Sequence, residues 1–179
     1  MRLISDLLVY GEKNQIYQGY KTDKLVTEGL ELSPSTFPGV DESANRLHVS
    51  GLTHQGVRYS GVTLVLGNKV MMRLTVQTDD PSAFTYIVST CGVDTVYTAE
   101  DLVKSGDGKY YLYFDALKAT GFNEAVTASI QCDGQTVSQT VTYSVNSYIL
   151  KNQDADDQAL RELVRAIYNY GCSASDYAG

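Results

Sequence analysis

Between Arg46 and Val145 apolar and polar side chains take turns along the chain, most cleanly where Val70, Met72, Leu74 and Val76 alternate with Met71, Arg73, Thr75 and Gln77. A period of two puts one set on each face of an extended strand, whereas a helix would scatter both sets around its circumference. The pattern predicts antiparallel strands with one face in a core and the other in water. It returns in Val62-Leu64-Leu66, Phe84-Tyr86-Val88, Tyr110-Leu112-Phe114, Val126-Ala128-Ile130 and from Val137 through Val141, Tyr143 and Val145.

The connections carry matching turn chemistry. Gly67-Asn68 and Asp133-Gly134 can take the positive backbone angles of two-residue hairpins, and Gly106-Asp107-Gly108-Lys109 marks a looser loop without phosphate-loop spacing. Asp79-Asp80-Pro81-Ser82 is a turn opener, since Pro81 removes a backbone donor and steers Asp80 out of helical space. Short strands punctuated in this way, about seven of them, predict a mainly β sandwich.

Both ends are helical in pattern. Leu3, Ile4, Leu7 and Leu8 form one stripe in a segment from Arg2 to about Tyr17, with Gly11 as an interior weak point. Residues 19–39 then lose periodicity and collect Ser33, Pro34, Ser35 and Pro38, which reads as a linker. After a short helical turn at Tyr148-Ile149-Leu150, Asp154, Asp156 and Asp157 begin a second helix whose stripe is Leu160, Leu163, Val164, Ile167 and Ala174. These acids resemble the start of a calcium loop, but no glycine at the sixth position and no distal glutamate complete it, so helix capping is the expectation.

The two helical ends share a phrase. Leu3-Ile4, Leu7, Tyr10-Gly11, Tyr17 and Gly19 recur 160 residues later as Leu163-Val164, Ile167, Tyr170-Gly171, Tyr177 and Gly179. Matched motifs at a fixed offset mark one unit of a tandem array that carries the tail of a preceding unit. The expected organisation is 1–40 as that tail helix and linker, 46–148 as the sandwich, and 149–179 as the unit's own C-terminal helical segment, packed on the sandwich or leading to the next unit. An exposed stripe at Leu3, Leu7 and Leu8 should then dock near the C-terminal helix or seek a second molecule.

Composition narrows the partners. A net charge of -7, with 14 scattered basic residues, argues against nucleic acid, which relies on clustered Lys and Arg. No stretch approaches the roughly 20 apolar residues of a membrane span, so no insertion is expected, and the first residues lack the pattern of a signal peptide. Cys91, Cys132 and Cys172 have no metal spacing and only His48 and His54 to help them. A Cys91–Cys132 bridge is open in an oxidising compartment; buried free thiols are the commoner outcome.

Tyr110-Tyr111-Leu112-Tyr113-Phe114, Ala116-Leu117-Lys118-Ala119, Val126-Thr127-Ala128-Ser129-Ile130, Asp133-Gly134 and Tyr143-Ser144-Val145-Asn146-Ser147-Tyr148, followed by the Leu163–Tyr177 helix, resemble a repeated module of large surface proteins from Gram-positive anaerobic gut bacteria. Gly19-Tyr20-Lys21-Thr22-Asp23-Lys24-Leu25 matches the phrase that follows such a helix. The resemblance covers about Tyr110 to Gly179 well and Leu3 to Leu25 less well; Cys132 and Cys172 to Ser175 depart from it. It implies an immunoglobulin-like fold, an extracellular location at or near the cell wall, and service as a spacer or display unit whose partners are neighbouring units of the same polypeptide.

Candidate sites are few. Among 14 tyrosines and no tryptophan, Tyr111 and Tyr113 are the best glycan-contacting pair, because they share the strand face opposite Tyr110, Leu112 and Phe114. A carbohydrate-binding module, for cell-wall or host glycans, is therefore the alternative to a spacer, and a host-protein adhesin with an aromatic-centred patch is a third class. Tyr10, Tyr17, Tyr170 and Tyr177 recur at helix ends, which favours packing. No nucleophile-base set involving His48, His54, Cys91 or Cys132 emerges, and Glu100, Asp101, Asp115 and Glu124 are paired carboxylates only if the fold gathers them. The chain reads as non-enzymatic, with no cofactor and no metal assigned.

Overall fold

The computed structural model describes residues 2–23, 25, 27, 29–33, 37, 40–67 and 69–179. Its elements run α1 (Arg2–Tyr17), β1 (His48–Ser50), β2 (Val57–Leu66), β3 (Val70–Thr78), β4 (Thr85–Thr90), β5 (Val93–Tyr97), β6 (Val103–Gly106), β7 (Lys109–Phe114), β8 (Val126–Cys132), β9 (Gln135–Thr136), β10 (Thr140–Tyr143), α2 (Val145–Asn152) and α3 (Gln158–Ala178). Two compact units result: Arg46–Leu117 with Glu124–Ser144, and Met1–Asn45 with Lys118–Asn123 and Val145–Gly179.

The strand unit holds two antiparallel sheets, ordered β1-β10-β8-β4-β5 with β9 on β8, and β2-β3-β7-β6. Strict alternation decides the core. Leu74, Val76, Tyr86, Val88, Leu112, Phe114 and Ile130 are fully buried, and the register aligns them, Leu74 with Leu112, Tyr86 with Ile130, Val88 with Ala128. Burying one such side chain contributes about 1.5–3 kcal/mol, so a slip by one residue, which would send the whole set to solvent, is strongly disfavoured. Tyr59 bridges the sheets, its hydroxyl donating to the Ser129 carbonyl at 3.3 Å. The unit is mainly β and sandwich-like.

Among the described residues there are ten strands rather than about seven. The additional ones are short: β1 and β9 have three and two residues and lack the length that alternation needs to be recognised. Asp133-Gly134 forms the expected two-residue turn, with φ of 49° and 75°. A second turn of that kind, Cys91-Gly92 with φ of 50° and 74°, joins β4 to β5 and was not foreseen. Of the expected Gly67-Asn68 turn, Asn68 lies outside the described residues, as do Lys24, Pro34, Ser35 and Pro38 of the linker. The last strand ends at Tyr143, two residues early, because Val145 and Ile149, four apart and fully buried, belong to one face of α2.

In the helical unit α1 continues through Gly11 to Tyr17 without a break. α3 starts where the acids predict: the Asp157 carboxylate accepts from the backbone amides of Ala159 (2.8 Å) and Leu160 (3.4 Å). Arg161 donates to the Ala155 and Asp156 carbonyls and closes the loop before it. Of the expected stripe Leu163, Val164, Ile167 and Ala174 are buried and Leu160 is half-buried, and Ala166 is buried with them.

α1 and α3 pack antiparallel: Asp6 accepts from the Ser173 hydroxyl, Tyr10 stacks on Tyr170 at 5.8 Å, and the Lys13 ammonium lies 3.0 Å from the Glu162 carboxylate. Phe122, at the end of the 3-10 turn Ala119–Gly121, meets Tyr170 edge-on at 6.1 Å. Tyr17 and Tyr177 depart from the packing expectation, at 37% and 82% exposed.

Candidate functional site

Alternation along β7 turns Leu112 and Phe114 inward and leaves Tyr111 and Tyr113 half-buried on the opposite face of the sheet. Pairing with β3 brings Arg73 opposite Tyr113 and Thr75 opposite Tyr111, while β6 sets Val103 opposite Tyr111. The Arg73 guanidinium carbon lies 4.5 Å from the centre of the Tyr111 ring, within cation–π range. The two tyrosine rings are 6.3 Å apart and 77° from parallel.

The electrostatics are local. A hydrogen bond with Ser105 is the main cause that holds the Tyr111 phenol below its usual range, with Arg73 and Lys109 adding to it. The Arg73 Nε is buried and has no hydrogen-bond partner among the described residues. It is a donor without an acceptor beside two phenols. The rings stand nearly perpendicular and Arg73 covers one face of Tyr111, so they do not form one flat shelf. A pyranose would stack on a single ring and take its remaining contacts from hydroxyls and Arg73.

A second concavity, a cleft of ≈ 360 Å³, is lined by His54, Arg58, Gln77, Asp79, Asp107 and Gly108 among others. Three of its polar side chains are engaged locally. His54 Nδ1 accepts from the Gly56 amide at 3.1 Å, and Arg58 donates through Nε and Nη2 to Gln77 Oε1 at 3.1 and 2.8 Å.

Three further acids, Asp80, Asp101 and Asp115, have structural employment. Asp80 accepts from the Ser82 amide (3.0 Å) and hydroxyl (2.6 Å), bonds that hold its carboxyl below the usual carboxylate range. Asp101 accepts from the Thr98 amide at 2.8 Å, and Asp115 pairs with Lys69. Cys91, Cys132 and Cys172 are all free thiols, so the Cys91–Cys132 bridge is not formed. Among the described residues no group of three or more His, Cys, Asp or Glu is placed to hold a metal ion, and no helix is long and apolar enough to cross a membrane.

Comparison with protein-family models, curated proteins and solved structures finds no match. Two residues of the aromatic surface escaped sequence reasoning. In sequence Arg73 reads only as part of the polar face of its strand and Ser105 carries no signal; their partnership with Tyr111 depends on the β3-β7-β6 register, which alternation alone does not specify.

Proposed function

We propose that this chain is a non-enzymatic spacer or display module of a bacterial cell-surface protein, one bead of a tandem array outside the cell. The observation that carries the reading is the pairing of the two look-alike helices. The terminal phrases match in sequence and also pack against each other, Tyr10 on Tyr170, as a seam between successive units would. Residues 1–40 are in this reading the tail of a preceding unit, Arg46–Leu117 with Glu124–Ser144 the unit's sandwich, and Val145–Gly179 its own tail.

Strand order supports an immunoglobulin-like class for that sandwich. The sheets β2-β3-β7-β6 and β1-β10-β8-β4-β5 have the order obtained when the A-B-E-D sheet of such a fold accompanies G-F-C with one strand added at each edge, β1 beside β10 and β5 beside β4. The gene tests the reading: further copies of the Tyr-Gly helix phrase, with a secretion signal and a wall-sorting segment, are expected, and a single-copy cytoplasmic product refutes it.

A carbohydrate-binding module is the second reading, favoured by the Tyr111, Tyr113 and Arg73 surface. Glycan-array binding abolished by Tyr111→Ala or Tyr113→Ala would establish it, and flat binding to wall and host glycans leaves the spacer.

A further inference from the structure

α1 and α3 carry the same apolar stripe and the same central glycine, yet only one of the two sets is covered. In α3 Val164 and Ile167 are fully buried; their counterparts Ile4 and Leu7 in α1 are 57% and 44% exposed. The glycines divide in the same way. A Cβ on Gly171 would lie 2.6 Å from Cδ2 of Phe122, so the missing side chain is the space that ring fills. A Cβ on Gly11 meets nothing within 4 Å among the described residues.

Glycine in a helix interior is the poorest choice short of proline. Packing on α3 does not require it at position 11, since the residues α1 buries are Asp6, Val9, Tyr10 and Asn14. We propose that Gly11 with Ile4 and Leu7 is a socket for the Phe122 turn of a second copy of this module, lying upstream in the same polypeptide, with α1 acting as that copy's α3. The inference rests on the tandem-array reading and says where the preceding bead grips.

The occupant follows from which Phe122 is free. The Phe122 of this chain already sits on Gly171, and a complete second molecule has its own α3 in that place. Only a module whose tail helix is α1 has an aromatic turn to offer. The contact is apolar and aromatic, as the bare stripe demands.

The test compares the 179-residue chain with the natural two-module segment that adds the preceding unit from the same gene. In the single chain Gly11→Ala should raise the melting temperature by about 2 °C, as relief of helix-interior glycine does, while Gly171→Ala lowers it. In the two-module segment Gly11→Ala should instead lower the melting temperature of the upstream unit, and a cysteine at Ile4→Cys, located by peptide mapping, should react at least tenfold more slowly than in the single chain.

An upstream unit that is indifferent to Gly11→Ala, with Ile4→Cys equally reactive in both chains, overturns the socket and leaves the spacer reading intact. A gene with no upstream unit overturns both. A 179-residue chain that dimerises in solution, and is made monomeric by Ile4→Asp, assigns the stripe to a copy in trans and also overturns the proposal.

Discussion

Tyr10 and Tyr170 lie with ring centroids 5.8 Å apart and planes only 6° from parallel, an offset stack between the two helices that share a sequence phrase. Aromatic pairs of this kind contribute about 0.5–1.5 kcal/mol beyond the area they bury. A double-mutant cycle through Tyr10→Leu and Tyr170→Leu, read by urea denaturation, should return a coupling energy in that range. Strict additivity of the two single losses would show that the stack is incidental to helix pairing.

Alkaline pH should destabilise the fold through Tyr10. Burial first, and Tyr170 beside it second, push its phenol from 10.0 up to about 12. A raised value means the folded state keeps the proton longer than the unfolded chain does. The associated stability is complete below pH 10 and is lost as pH climbs toward 12, by about 2–3 kcal/mol. Tyr10→Phe should flatten the fall between pH 10 and 12 in denaturation midpoints; a slope equal to wild type would remove Tyr10 as its source. Tyr59 and Tyr86, also raised by burial, keep the slope from vanishing.

Removing the carboxylate that starts α3 has a defined cost. Asp157→Ala leaves the Ala159 and Leu160 amides without their acceptor and should lower stability by about 1 kcal/mol, with Asp157→Asn close to wild type. Thermal denaturation of the three proteins decides it: equal melting points for Ala and Asp would mean that solvent replaces the cap.

On the outer sheet face, Ser105→Ala should raise the ionisation midpoint of Tyr111 more than Arg73→Met does, because the hydrogen bond outweighs the cation. An NMR titration with labelled tyrosine resolves the two shifts. The opposite ranking would place the guanidinium in control of the phenol.

Much of the fold is readable from single positions and their neighbours. Alternation at Val70–Gln77 places β3, Asp133-Gly134 dictates its turn, and Asp157 marks where α3 begins, since each depends on side chains within a few residues. The unforeseen Cys91-Gly92 turn is the instructive miss. Cysteine is not a habitual residue for positive φ, so only Gly92 hinted at the hairpin.

The sequence by itself determined the period of each strand, the stripes of α1 and α3 and the recurrence of Tyr-Gly 160 residues apart, all of which are local regularities or repeats of them. Tertiary structure alone decided that Tyr10 meets Tyr170, that Phe122 fills the gap at Gly171 while Gly11 stays open, and that Arg73 and Ser105 converge on Tyr111. Those contacts join residues far apart in the chain. They are selected by how whole faces fit together, and identical local phrases can end in opposite environments, one buried and one bare.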